Sequence, residues 1–297
     1  MKKKLIIIVS AISLLVTVFG LLYMVNLLGG FSKKFENFDY LVINDEVVIV
    51  AYKEQEGIFS AVIPDEIEGM PVVEVRNFGL FNTNQVKTIT IGVNVKRIGE
   101  WAFTNNSGLI EFIVKEGNTD YSAVDGVLFT FDKETLLYYP AKKGVVSTRN
   151  EFNLEVLTIP SYTVPDGTKV IRKLAFYNCK LLESVILPDS IKDIEEKAFF
   201  YAEGLSNVIL PEGLISIGKD AFAFCSNKSF NSVEIPSTVE YVGEYAFYNA
   251  ASVEQIKVNK NYQETASWGE KWWPSANGRA MVDISFNDIL LSIGDQN

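Results

Sequence analysis

Residues 185–225 read "VILPDSIKDIEEKAFFYAEGLSNVILPEGLISIGKDAFAFC", nearly one phrase stated twice, with Ile-Leu-Pro at 186–188 and 209–211 and Ala-Phe closing at Phe199 and Phe222. A period of 23 residues constrains the fold more than any composition does. One such unit is too short to bury its own apolar face, whereas stacked units bury it together. Aligned on the Ala-Phe, Phe103 closes "IGEWAF", Phe176 "IRKLAF", Phe199 "IEEKAF", Phe222 "IGKDAF" and Phe247 "VGEYAF", and a degenerate "VRNFGLF" ends at Phe81. The spacings are 22, 73, 23, 23 and 25, so 73 reads as one repeat plus an insertion of 50.

Between the phenylalanines runs an apolar triplet at positions 1, 4 and 6. It is "LESVIL" from 182, "LSNVIL" from 205, "FNSVEI" from 230 and "VEQIKV" from 253, with earlier copies "VKTITI" from 86, "LIEFIV" from 109 and "LEVLTI" from 154. Positions 4 and 6 share one face of a strand. Pro160, Pro188, Pro211 and Pro236 follow four of the copies, and proline, lacking an N–H, ends the ladder. The chain then passes a second apolar pair such as Ile191 and Ile194 and makes a short helical turn at "EKAFFYA". The expectation is a solenoid with columns of Ile, Phe and Leu in its interior.

The phrase "L-x-x-V-x-L-P-x-x-I-x-x-I-x-x-x-A-F" resembles the BspA-like leucine-rich repeat family of bacterial surface proteins. "FDYLVINDEVVIVAYKEQEGIFSAVIPDEIEGMPVVEV" (38–75) is similar to that family's opening hairpin and first strand, and "NTDYSAVDGVLFTFDKETLLYYP" (118–140) to a hairpin module spliced between its repeats. The resemblance spans roughly 38–262 and implies a leucine-rich repeat solenoid, β-rich, with parallel stacked short strands and short helical turns. It implies surface interaction or adhesion without naming a partner, since one fold hosts many functions. The organisation read from the chain is a membrane anchor or signal at 1–30, a linker at 31–37, a capping hairpin and first strand at 38–75, repeats at 76–262 with a hairpin insertion at about 116–152, and a C-terminal cap and tail at 263–297.

The N-terminus carries Lys2, Lys3 and Lys4 before 28 uncharged residues (5–32). That run exceeds the apolar region of a signal peptide and is long enough for an N-terminal transmembrane helix, so residues 5–28 read as an uncleaved anchor, with a cleaved secretory signal as the alternative. Either reading, with the three lysines held inside, puts the repeats outside the cytoplasm. All 37 acidic residues lie beyond residue 34 and five of the 27 basic ones lie before it, which leaves a formal charge of −15 on the remainder. Such a field repels nucleic acid, and no basic patch interleaved with aromatics offers it a site.

Catalytic and cofactor chemistry finds little support. The chain has no histidine, which removes Ser-His and Cys-His catalysis and the ordinary zinc sites. No phosphate loop of the GxxxxGK kind occurs, and "FTFDKETLLYYP" (129–140) has too few alternating carboxylates for an EF-hand and reads as a turn at Asp132–Thr135. Carboxylate pairs of the glycosidase kind are inevitable among so many acids, and a solvated acidic surface accounts for them. No cofactor is expected. Cys179 and Cys225 both lie three residues after a repeat Phe, two repeats apart. Coils stacked about 4.8 Å apart put their Cα atoms roughly 10 Å apart, beyond the ~7 Å limit of a disulfide, so they read as small buried thiols.

Two candidate contact regions remain. With positions 1, 4 and 6 inward, Ile186 and Ile209 fall at outward position 5, ringed by Glu183, Ser184, Asn207 and Glu234, an apolar centre with a polar rim. The bland alternative is that β-branched residues simply suit strands. Near the C-terminus Trp268, Trp272 and Trp273 read as rings closing the open end of the solenoid, with a carbohydrate-binding platform as the alternative. The function expected is non-enzymatic binding at the cell surface, to a protein or a glycan.

Overall fold

The computed structural model describes residues 32–158, 160–250, 252–274 and 282–293. The anchor expected over 5–28 lies outside them; among the described residues no helix is long and apolar enough to cross a membrane. The expected linker is in part a strand, because Lys33–Phe35 pairs antiparallel with Phe38–Ile43. Phe38–Ile43 then forms the opening hairpin with Glu46–Tyr52, which runs parallel to Met70–Val75.

Beyond that opening the chain is a β-solenoid with almost no helix. Successive coils pair in register at the repeat distance. Ser161–Thr163, Ser184–Ile186 and Asn207–Ile209 form one parallel sheet, with Ser161 opposite Ser184 opposite Asn207. Ser60–Val62, Thr88–Ile91 and Glu111–Val114 form its counterpart nearer the N-terminus. Ser232–Ile235, Gln255–Val258, Val282–Ser285 and Leu290–Ile293 form another at the far end. A second wall consists of two-residue strands, Val170–Ile171, Asp193–Ile194, Ser216–Ile217 and Tyr241–Val242, each parallel to the next. Proline closes the first wall, and its carbonyl then accepts a turn bond from the third residue on, as in Ile191 N–H to Pro188 and Leu214 N–H to Pro211.

The stretch expected to be a helical turn is instead a run of turns whose hydrogen bonds alternate between local and inter-coil. Ala198, Phe200 and Ala202 donate three residues back, to Glu195, Lys197 and Phe199, while Lys197, Phe199 and Tyr201 donate to Lys219, Ala221 and Ala223 of the next coil. A helix would direct these N–H groups four residues back within its own segment. The alternation requires left-handed residues two before and two after the repeat aromatic, and Lys197 (φ 57°) and Tyr201 (φ 60°), Asp220 (55°) and Phe224 (62°), and Tyr245 (58°) and Asn249 (51°) supply them. Non-glycine residues there cost about 1–2 kcal/mol each, which the repeated inter-coil bonds offset.

Phe176, Phe199, Phe222 and Phe247 stand in one continuous file, with centroids 4.7, 4.9 and 5.3 Å apart and planes within 4–6° of parallel. All four are fully buried. Two alignments made from the sequence shift. Leu80, not Phe81, occupies the slot: Leu80 is buried, its N–H reaches Ala102 as Phe199's reaches Ala221, and Phe81 is 38% exposed. The first spacing is therefore 23 as well. "LEVLTI" is not a repeat strand, since Leu154 and Leu157 are 62% and 43% exposed. The true copy is "SYTVP", in which buried Tyr162 and Val164 match Val185 and Leu187, and Pro165 matches Pro188. The insertion thus runs past 152 to about 160.

That insertion contains a meander, Tyr121–Val124, Val127–Thr130 and Thr135–Tyr138, whose last strand joins the second wall beside Val170–Ile171. It is buried on both sides. Val127, Phe129, Leu136 and Tyr139 enter the C-terminal core, while Leu128, Leu137 and Tyr138 enter the N-terminal one. Tyr139 extends the ring file, 5.1 Å from Phe176, and Tyr138 packs edge-on against Phe103 at 5.4 Å. Alternation gives the meander two apolar faces, a bulge at Leu137 lets both Leu137 and Tyr138 face the N-terminal core, and the meander thereby welds the two cores together.

Asp65 ties three N-terminal coils: its carboxylate accepts from the Val93 N–H (2.8 Å) and the Lys115 Nζ (2.8 Å), and its carbonyl from Asn94 Nδ2 (3.1 Å). Burial acts to raise its pKa, but the Lys115 and Val93 bonds outweigh burial and leave it below its ordinary 3.8. A depressed carboxyl stabilises above its unfolded value, and that contribution is lost as pH falls through the folded value. Denaturant titrations across the acid range are expected to show Asp65→Asn less stable than the parent at neutral pH, with the two converging below about 3.8. A difference that persisted unchanged in acid would refute the role of this charge.

Candidate functional site

The repeat triplets place the apolar centre where the sequence puts it. In Ser184–Ile186 and Asn207–Ile209, Val185 and Val208 point inward and are buried, so the residues after them point out. Ile186 and Ile209 stand opposite each other, 56% and 71% exposed, with Thr163 next in the row. On the same outer face, two residues back along each strand, Ser184 and Asn207 form a polar row, and the Ser184 hydroxyl donates to Ser161 Oγ at 2.8 Å. Glu183 is exposed at the strand entrance, and its backbone is used by neighbouring coils, its N–H donating to Pro160 and its carbonyl accepting from Ser206.

Glu234 departs from the expected rim. It lies in the following sheet and is engaged by its own chain: Lys257 Nζ approaches to 2.6 Å and Asn259 Nδ2 donates at 3.0 Å. The Lys257 bond, with Asn259, lowers its pKa below the ordinary carboxylate value. The apolar row itself has a second instalment in the N-terminal sheet, where Val62 and Ile113 are 47% and 44% exposed on either side of Thr90.

The three tryptophans repeat the coil frame. "WGEKWW" follows "VGEYAF" slot for slot: the Gly269 N–H reaches Val242, Trp272's carbonyl accepts from Phe247, and Lys271 (φ 50°) is left-handed like Tyr245. Gly269 is required here, because a Cβ would lie 2.3 Å from the Glu244 nitrogen. Trp268 and Trp272 are buried in the core, 5.1 Å apart and edge to face. They close the solenoid and offer no open platform. Beside them Tyr262, Trp273, Ile284 and Phe286 help to line a cavity of about 280 Å³ whose walls, among the described residues, carry no charged side chain.

The sequence reading overlooked an aromatic ridge along the turns. Phe78, Trp101, Tyr177 and Phe200 follow one another at 6.1, 5.7 and 5.9 Å, Phe200 and Tyr201 contact Phe224, and Phe224 contacts Tyr248 at 5.6 Å. The signal was the aromatic one residue after the repeat Phe, at Tyr177, Phe200 and Tyr248. Of these contacts three are stacked and three edge to face. Ion pairs flank them, Lys173 with Glu100 and Glu196, Lys197 with Glu196 and Asp220, and Lys219 with Glu244.

Cys179 and Cys225 are free and fully buried, in the slot that Ala202 holds between them. Burial pushes both thiols far up in pKa, so neither is a nucleophile at neutral pH. Among the described residues no group of three or more metal-ligating side chains is placed to hold an ion.

Comparison with known proteins bears on this geometry. The model of the BspA type leucine rich repeat region matches in six copies over residues 51–124 and 149–268. The crystal structure of the pneumococcal vaccine antigen PcpA superposes with a TM-score of 0.51 at 16% identity, covering 84% of this chain and 89% of that one. A leucine rich cell surface protein of Faecalibacterium prausnitzii gives a TM-score of 0.47 at 15% identity over 83% and 95%. A Hid-1 family protein of Schizosaccharomyces pombe is 47% identical over 47 residues, 15% of this chain and 6% of that protein. The chain spans only that small part of this relative's length, and the PcpA superposition speaks to fold alone.

Proposed function

Because the chain belongs to the BspA-type leucine-rich repeat family, we propose that it is a non-enzymatic binding protein of the cell surface, held to the membrane by residues 5–28 with its repeats facing outward. Its contact face is the outer row of the short parallel strands, and the partner is another protein. One observation carries this reading: Ile186 and Ile209 stand in register, more than half exposed, on strands whose buried residues already complete the core. Burying both on a partner is worth about 25 cal/mol per Å² of apolar surface removed from water, while the serine and asparagine row beside them keeps the rim polar.

The test uses the full chain as bait. Ile186→Asp and Ile209→Asp are expected to abolish retention of a bound protein while leaving the melting temperature within about 1–2 °C, because neither side chain is core. Retention unchanged by both would end the assignment, and a large drop in melting temperature would show them to be structural. A glycan is the second reading, favoured by the uncharged aromatic cavity at the C-terminal cap. In that case binding follows Trp273→Ala and ignores the isoleucines.

A further inference from the structure

The second half of the insertion is an element that its own chain leaves unfinished. Val146–Arg149 and Glu155–Thr158 pair antiparallel with each other and, among the described residues, with nothing else. All eight strand residues are exposed. Five large apolar side chains crowd this arm, Val146 (52% exposed), Phe152 (74%), Leu154 (62%), Val156 and Leu157 (43% each). The arm leaves the solenoid at Gly144, left-handed at φ 72°, where a Cβ would press to 2.9 Å on Pro160. Its tip is internally tied, with Asn150 Oδ1 accepting from the Phe152 and Leu154 N–H groups and Arg149 Nη1 donating to Asn153 Oδ1.

A lone two-stranded hairpin is marginal in water, and independent stability needs a third strand or an apolar surface to lie on. An exposed apolar edge is a template for another strand. From this arm we infer that the protein forms a twofold dimer in which the Glu155–Thr158 edges of two copies pair antiparallel into one four-stranded sheet.

Register and charge identify a second copy as the occupant. The Asn150 N–H bonds to the Leu154 carbonyl and the ladder continues through Thr148–Val156 and Val146–Thr158, so Glu155 and Leu157 turn their backbone groups to the free edge. Paired about Leu157, this strand sets Leu157 opposite the other copy's Leu157 and Val156 opposite its Thr158. One face then gains a Leu–Leu cross-strand pair and the other two Val–Thr pairs, and no like charges oppose. The other edge would centre its pairing on polar Ser147 or Thr148 and lacks that match. Body-to-body contact between two acidic solenoids is opposed by their charge, −15 beyond residue 34 of each chain. Residues 142–158 instead hold Lys142, Lys143 and Arg149 against Glu151 and Glu155, close to balance. A projecting arm also keeps the two acidic bodies apart, and at physiological salt their repulsion fades over about 8 Å. An isologous contact of this kind closes on itself and does not propagate into fibres.

The experiment is sedimentation equilibrium over a wide concentration range on the full chain in detergent and, alongside, on the chain lacking residues 1–31, whose two cores lie wholly beyond residue 37. Both are expected to show a reversible monomer–dimer equilibrium. Leu157→Lys, and independently Val156→Lys, should raise the dimer dissociation constant by about ten-fold or more, with the thermal midpoint of the solenoid unchanged. Ile209→Asp should leave dimerisation intact, which separates this contact from the sheet face proposed above. Monomers throughout, a dimer only when residues 1–31 are present, a dimer indifferent to both lysine substitutions, or one broken by Ile209→Asp would each overturn the inference.

Discussion

Phe199→Ala is expected to destabilise the solenoid by about 3–5 kcal/mol, the range for emptying a fully buried aromatic site. The ring sits between two others, with centroids 4.7 Å from Phe176 and 4.9 Å from Phe222 and planes 5° and 6° from parallel. Its removal takes the transfer energy of the side chain, opens a cavity, and strips a stacking partner from each neighbour, each such pair being worth about 0.5–1.5 kcal/mol beyond area. The void cannot close by a local shift, because the coil is pinned on both sides of the ring by inter-coil bonds through Lys197, Phe199 and Tyr201. Urea unfolding gives the magnitude, and a double-mutant cycle gives the mechanism. Phe199→Ala with Phe222→Ala should be non-additive by more than about 0.5 kcal/mol, whereas Phe199→Ala with Phe112→Ala, in the separate N-terminal cluster, should add. A loss below about 1 kcal/mol would show the file to be an alignment without energetic weight.

That file was the part of the fold most open to sequence reasoning, because stacking puts one residue type into one slot and so writes geometry directly into spacing. The inward triplets at 182, 205, 230 and 253 follow for the same reason: a strand alternates, and only positions 1, 4 and 6 reach the core. The errors lie where two patterns look alike. "VRNFGLF" has a Phe one residue after the real slot, and hydrophobicity alone cannot choose between Leu80 and Phe81; the left-handed pair at Phe78 and Asn82 decides it. "LEVLTI" matched the triplet because a hairpin strand also alternates, yet its described strand residues, Glu155–Thr158, are all exposed. The turn segment misled by composition, since Glu, Lys and Ala favour helices, and the coil-to-coil bonds that override this preference come from a neighbour 23 residues away. The apolar centre at Ile186 and Ile209 was legible because it uses the same register. Glu234 joined the expected rim by position alone, and its bond to Lys257 depends on pairing between coils. The aromatic ridge has a weaker signal, because the repeat at Phe222 is followed by Ala223 and the ridge is completed there by Phe224 through coil-to-coil contact.

Asn118 carries the last large expectation, and it concerns how the meander is attached. The side chain is 4% exposed and fully used: Nδ2 donates to the carbonyls of Gly92 (2.8 Å) and Val95 (3.0 Å), and Oδ1 accepts from the N–H groups of Asp120 (2.9 Å) and Tyr121 (2.8 Å). It thus clamps the turn of one coil to the first strand of the meander. Asn118→Ala removes this partner from the buried Val95 carbonyl and from the half-buried Asp120 and Tyr121 N–H groups, while the Gly92 carbonyl keeps only the longer bond from the Val95 N–H (3.3 Å). At about 1–3 kcal/mol for each buried group left unsatisfied, partly relieved by relaxation, the expected cost is on the order of 3–5 kcal/mol. Hydrogen exchange should quicken first at Asp120 and Tyr121, ahead of the Phe199 coil, because the loss is local to this junction. Asn118→Asp supplies the control. It keeps the shape and the two acceptor bonds but aims a carboxylate at two carbonyls, so burial and repulsion raise its pKa in the folded chain. A raised carboxyl binds its proton more tightly folded than unfolded, so this variant's deficit should be largest at neutral pH and shrink as pH falls through the folded pKa. An Asp variant as stable as the parent at neutral pH, or a deficit that grows in acid, would show that the two donated bonds do not hold the meander in place.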